Sequence, residues 1–232
     1  MKRNAIIYFG TRWVAQRVLS LFYRIEIRCG DSLPAGGPAV ILPKHQYWTD
    51  IPLVGLSFPF PLLFVAKREL FRYPVIRPCL SLLGGIPLDR ERSVRTLKSF
   101  RYLLSRLDGE ERIVIFPEGT YFRGTVGPGK HRLLGMILKF QSPSEQPLPF
   151  VPVGIRYGER SGWRRQVEIC IGSPLFAEGE SDAPALTCRV MEEIGHLCRM
   201  PREIGNTKIE IRSTKQIQET EGQKIKNYCP PP

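Results

Sequence analysis

The chain has 232 residues, 42% hydrophobic and 10% aromatic, which suits one domain with a substantial core and excludes general disorder. Its formal net charge of +12 points to partners that carry phosphate, whether nucleic acid, anionic lipid or a phosphorylated cofactor. The sequence has no zinc-finger spacing, RNP-like aromatic motif or helix-turn-helix signature, so nucleic acid is not an expected partner.

Residues 4 to 25 carry the period of an amphipathic helix, with Ile7, Val14, Val18, Leu21, Phe22 and Ile25 on one face. Arg12, Gln16, Ser20 and Arg24 lie opposite, while Phe9, Trp13 and Arg17 flank the polar side. Two readings stand at this point: a helix lying among lipid headgroups, and a helix packed on its own domain with a solvated basic face. The apolar run Ala5 to Gly10 is short and no small-residue cleavage pattern follows it, so secretion is not expected.

Asp31 to Pro38 is turn-rich, and Ala39 to Leu42 reads as a short buried strand leading to Pro43 and His45. Ile51 to Ala66 is uncharged, but Pro52, Pro59 and Pro61 interrupt it, and no stretch reaches the roughly 18 apolar residues of a spanning helix. Further along, the pattern predicts an apolar run at Leu62 to Ala66, a helix within Tyr73 to Leu83, a strand at Gly85 to Leu88 and a helix at Ser93 to Leu107. A strand at Ile113 to Phe116 stops at Pro117 and gives way to a glycine-rich loop. A helix near Leu133 to Phe140 and strands near Phe150 to Ile155 and Gln166 to Ile171 follow, with His196 on a later helix.

Alternation of strands and helices predicts an α/β fold: a mixed, largely parallel sheet flanked by helices, with an N-terminal amphipathic, membrane-associating helix. The expected divisions are the helical segment 1–28, an α/β domain over 29–205 and a weakly ordered polar tail over 206–232. The six cysteines form no CxxC pair, and Cys188, His196 and Cys198 do not match a zinc pattern. Structural thiols in a reducing compartment are expected, and no metal site.

Chemistry concentrates after the predicted strands. Lys44 to Asp50 (KHQYWTD) places a histidine and an aspartate five positions apart just beyond a buried strand, where functional groups of open α/β sheets gather. Asp50 folded back on His45 would make a general base; the bland alternative is a capping aspartate beside an unrelated histidine. Neither His131 nor His196 has a carboxylate so placed downstream. Gly84 to Arg92 (GGIPLDRER) delivers Arg90 to the end of a strand, suited to phosphate or simply solvated. Phe116 to Thr120 (FPEGT) follows another strand, with Glu118 as functional group or structural carboxylate and Lys130 completing the loop.

With these blocks and their order, the sequence resembles the glycerolipid acyltransferases that include the lysophosphatidate acyltransferases. The matches are KHQYWTD, VAKRELFRYP leading to GGIPLDR, FPEGT and VPVGI, over roughly residues 38 to 156. The resemblance implies a catalytic pair at His45 and Asp50, and an acceptor and phosphate site at Arg90, Glu118, Gly119 and Thr120. It also implies donor-site shaping around Val151 and Pro152. One position departs: the third block usually ends in arginine, and here Tyr121 stands there, with Arg123 two positions later.

The expected reaction is direct transfer of a fatty acyl group to the hydroxyl of a lysophospholipid, foremost 1-acyl-glycerol 3-phosphate, giving phosphatidate. A different lysolipid or an amino-lipid is the alternative acceptor, and a non-catalytic binder of anionic membranes the alternative class. Acyl-CoA or acyl carrier protein serves as donor, Lys130 can meet the phosphates of either substrate, and no cofactor is required. The expected location is the cytoplasmic face of a membrane, peripheral or monotopic.

Overall fold

The computed structural model describes residues 5–29, 36–72, 85–88, 94–139 and 147–202. The expected helix within Tyr73 to Leu83, Arg90 and the tail from Asn206 lie outside them. Seven strands are described: β1 (Tyr23–Cys29), β2 (Ala39–Pro43), β3 (Leu62–Lys67), β4 (Ile86–Leu88), β5 (Arg112–Val114), β6 (Phe150–Ser161) and β7 (Arg164–Ile171). The α-helices are α1 (Ala5–Phe22), α2 (Asp50–Ser57), α3 (Val94–Asp108), α4 (His131–Lys139) and α5 (Ala183–Cys198).

The strands form one sheet in the order β1-β7-β6-β2-β5-β3-β4. Every neighbouring pair is parallel except β6 with β7, which form a hairpin. This is the expected mixed, largely parallel sheet. All five residues of β2 are buried, as a central strand covered on both faces requires. Its side chains alternate between two cores: Val40 and Leu42 join Leu103 of α3, Leu134 of α4 and Val190 of α5, while Ala39 and Ile41 join Leu19 of α1 and Leu53 and Val54 of α2.

The first helix is shorter than its pattern predicts. It ends at Phe22, and Ile25, expected on its apolar face, lies on β1, where Ile25 is paired with Val167 of β7. From Tyr23 to Arg28 the sequence YRIEIR alternates with period two, and that local pattern together with the free edge of β7 outweighs helical continuation. Residues 23–28 thus belong to the sheet rather than to the N-terminal helical segment. Helix α1 docks through buried Leu19 and through Arg12, whose guanidinium donates to the carbonyls of Gly55 (2.8 Å), Leu56 (3.0 Å) and Phe58 at the end of α2. These are the orphan acceptors of a helix C-terminus, which favour a cation. Val14, Val18, Leu21 and Phe22 stay exposed.

Strand β6 also outruns its prediction, continuing past Ile155 to Ser161. Cys170 and Cys198 are free thiols, and burial pushes the Cys198 thiol up to about 12. Among the described residues, no helix is long and apolar enough to cross a membrane.

Candidate active site

The chain leaves β2 at Pro43, with the Lys44 N–H still donating to the carbonyl of Val153 on β6 (2.9 Å), and turns through residues 44–49 into α2. On the other side of β2, β5 ends at Val114 and releases Phe116 to Thr120. The two loops therefore emerge side by side at the carboxyl ends of adjacent parallel strands, where an open sheet forms a crevice.

Asp50 opens α2, is fully buried, and is saturated with donors. Its Oδ2 accepts from His45 Nδ1 (3.0 Å), from the Tyr47 N–H (2.7 Å) and from the Gln46 N–H, and its Oδ1 accepts from the Tyr157 hydroxyl (2.6 Å). Capping of the loop and orientation of His45, alternatives in the sequence, are one geometry. With Nδ1–H directed at the carboxylate, the neutral imidazole carries its lone pair on Nε2, the tautomer a general base needs. The ring is held between Phe116, stacked at 3.9 Å between centroids, and Tyr121, tilted at 4.4 Å.

Behind the imidazole lies a buried ion pair. Lys44 is 0% and Glu118 1% exposed, and Lys44 Nζ donates to both Glu118 oxygens (2.8 and 3.0 Å) and to the carbonyl of Phe122 (2.7 Å). Glu118 accepts in addition from the His45 N–H and the Gly127 N–H, each at 2.8 Å. One carboxylate thus ties the histidine backbone to both ends of the glycine-rich loop. Gly127 has to be glycine there, because a Cβ would sit 2.4 Å from the Phe122 ring. Gln46 adds a second tie, donating to the carbonyl of Ile155 (2.7 Å) and accepting from the Gly124 N–H (3.3 Å).

A family model described as Acyltransferase matches residues 24–156, more than half of the chain. The chain belongs to the acyltransferase family. Among relatives of this O-acyltransferase, the lyso-ornithine lipid O-acyltransferase of Brucella abortus is 26% identical over 207 residues, covering 76% of each chain. The 1-acyl-sn-glycerol-3-phosphate acyltransferase of Bacillus subtilis is 28% identical over 169 residues, 72% of this chain and 82% of that one. The solved structure of the 1-acyl-sn-glycerophosphate (LPA) acyltransferase PlsC from Thermotoga maritima superposes with a TM-score of 0.58 over 81% of this chain and 79% of that one. At 22% identity it speaks for the fold.

The other expected site residues of the acyltransferase fall into three settings. Gly119 turns the loop with φ +69°, its N–H donating to the carbonyl of Phe116, and Thr120 follows it, exposed. Lys130 is exposed at the far end of the loop, where its backbone N–H donates to the carbonyl of Pro117 (2.9 Å). Val151 and Pro152 are buried within β6, in register with Ile41 and Leu42 of β2. Tyr121 packs on His45, and its phenol is pushed up by burial first and by the charge of Asp50 second. Arg123 places its guanidinium over the Tyr47 ring at 4.8 Å.

Sequence reasoning missed Lys44, Gln46 and Tyr157 as working residues. Tyr157 was legible in principle: it continues the Val153 and Ile155 face of β6 with a polar tip, at the end of the sheet that carries His45. Burial, then the charge of Asp50, raise its phenol above the ordinary value, so it stays a donor at any working pH. Tyr157→Phe removes one of the donors that fix the Asp50 carboxylate beside His45. Acyl transfer by the folded variant should fall about 3- to 10-fold in kcat/KM, the worth of one such bond. Unchanged kcat/KM in the folded variant would leave the tyrosine a packing role alone.

Proposed function

We propose that this acyltransferase moves a fatty acyl group from acyl-CoA or acyl carrier protein to the free hydroxyl of 1-acyl-glycerol 3-phosphate, giving phosphatidate. The observation that carries the reading is the His45–Asp50 pair, its carboxylate held by three further donors, at the carboxyl ends of β2 and β5. His45 Nε2 takes the hydroxyl proton as the oxygen attacks the thioester carbon. The carbon–sulfur bond breaks, and the imidazolium returns the proton to the leaving thiolate. The thioester is already activated, so a covalent acyl-enzyme is unnecessary; general-base help of about 10² to 10⁴ combines with positioning and oxyanion stabilisation. Glu118 acts by positioning: its oxygens are occupied by Lys44 and by two backbone donors, so Gly119, Thr120, Lys130 and Arg90 are the groups assigned to the acceptor and the phosphates.

A second acceptor class has its own support. Tyr121 occupies the position of the usual arginine and places a phenol, not a cation, against His45, and the Brucella abortus relative is named for a lyso-ornithine lipid. A lysolipid with an amino-acid headgroup is the second reading. Purified enzyme given acyl-CoA and both lysolipids in parallel, with products identified by mass, separates them. Phosphatidate as the faster product is expected, and acylated ornithine lipid as the sole product overturns the first assignment. On this reading the enzyme works at a membrane, peripherally and on the cytoplasmic face. The exposed Val14, Val18, Leu21 and Phe22 of α1 supply an apolar face for that surface, with exposed Arg17 and Arg24 beside it.

A further inference from the structure

Tryptophan carries the largest apolar surface of any side chain and is highly buried on average in folded proteins. Here all three tryptophans of the chain face outward: Trp13 is 60% exposed, and Trp48 and Trp163 are each 69% exposed. Trp13 lies on α1, but the other two have no part in that helix. Trp48 sits in the loop between His45 and Asp50, and Trp163 forms the tip of the β6–β7 hairpin beside Gly162, whose φ of +64° makes the turn.

One stack of rings brings these places together. Tyr47 and Tyr23 both meet the Tyr157 ring edge-on, with centroids 4.8 and 6.1 Å away, and the Arg165 guanidinium lies 5.2 Å from the Tyr157 ring. Tyr23 and Arg165 are also partners in the β1–β7 register. Exposed Trp48, Phe22 and Trp163 are each within two residues of Tyr47, Tyr23 and Arg165, and the ring at the centre of the stack is the one that holds Asp50. Since β6 parallels β2 and runs eight residues beyond Val153, the partner of Pro43, the hairpin projects past the sheet at the His45 end.

Charge accompanies the rings. Arg160 and Arg164 are exposed on either side of the hairpin tip, and the Arg164 guanidinium lies 5.4 Å from the Trp163 ring. Indoles with an apolar body and a polar N–H, interleaved with arginine, match the headgroup layer of an anionic bilayer. We infer that Trp48 and Trp163 form an aromatic rim that seats the mouth of the active site on an anionic phospholipid surface, a contact separate from α1. It rests on the reading that the acceptor is a membrane lipid. The rim fixes orientation: α1 alone could hold the enzyme at the surface with its crevice facing water, whereas a seated rim delivers a lipid hydroxyl to His45.

The three tryptophans supply the test, since each can be made the sole reporter by exchanging the other two for phenylalanine in the full-length chain. Each variant, checked for its fold by circular dichroism, is titrated with phosphatidylglycerol vesicles whose acyl chains are brominated near the headgroup. Trp48 and Trp163 emission should be quenched and shifted to the blue along with that of Trp13. Quenching of Trp13 alone overturns the rim and leaves α1 as the contact. A blue shift that follows protein concentration without vesicles overturns it in favour of a second copy of the chain. Trp163→Ala should bind the vesicles about tenfold more weakly, as loss of a partly inserted indole implies, and weakened binding should appear only on anionic vesicles at moderate salt. Trp163→Ala should also lose transfer to a long-chain acceptor in vesicles while keeping transfer to a short-chain acceptor in solution. Quenching requires no turnover, so a rim that is quenched in an enzyme failing to acylate either lysolipid would count against the chemistry and for the surface.

Discussion

Replacing His45 with alanine is expected to lower kcat by about 10² to 10⁴, the range a positioned general base contributes, with little change in folding. The imidazole is a loop side chain whose ring contacts are Phe116 and Tyr121, while the backbone tie from its N–H to Glu118 survives the substitution. Asp50→Asn should be impaired as well, because an amide can present its NH₂ to Nδ1 and hold the wrong tautomer. It should also cost stability, since Asp50 caps the Gln46 and Tyr47 N–H groups from a fully buried position. Turnover of purified, folded variants at saturating donor and acceptor checks the pair. Near-native turnover of His45→Ala removes the histidine from the chemistry.

The second large effect falls on stability. Glu118→Ala leaves the ammonium of Lys44 buried without its counter-ion and frees the N–H groups of His45 and Gly127, so a loss of about 3–5 kcal/mol is expected. Lys44→Met strands the carboxylate and should cost a similar amount. The double variant Lys44→Met, Glu118→Gln removes both charges, keeps an acceptor for the backbone donors and should recover most of the loss, as replacement of a buried pair by neutral groups commonly does. Denaturant unfolding of the three variants measures this. Single variants within about 1 kcal/mol of the parent chain would show the pair to be solvated, as a surface pair is. Activity of the rescued double variant then reports how far the Glu118 charge itself, beyond the fold it holds, matters to His45.

The sheet and the pair were legible in the sequence for the same reason: short apolar runs closed by proline or glycine mark strands buried on both faces, and the polar residues just beyond them must lie at the strand ends. Ala39 to Pro43 followed by His45, and Ile113 to Ile115 followed by Glu118, are such cases. Long-range partners were hidden. Nothing near Lys44 in sequence announces that its charge will be buried against a carboxylate 74 positions away, and Tyr157 meets Asp50 across 107 positions. The end of α1 was missed because Ile25 satisfies both a helical period and the two-residue alternation of YRIEIR. Only the edge offered by β7 decides between them. The same periodicity offered an apolar face for α1 but could not say what it would meet, and Leu19, which was not on that face, is the apolar residue that is buried. Arg12, assigned to the polar side, became the docking residue by capping α2, and the apolar side was left outside.

The most direct test of the chemistry follows thiol release from an acyl thioester by the purified enzyme before and after the lysophospholipid is added. With His45 acting as a base on the acceptor hydroxyl, release should begin only when the acceptor is present, should match ester formation one for one, and should vanish in His45→Ala. A burst of thiol equal to the enzyme concentration in the absence of acceptor, with the acyl group found on the protein by mass, would contradict direct transfer.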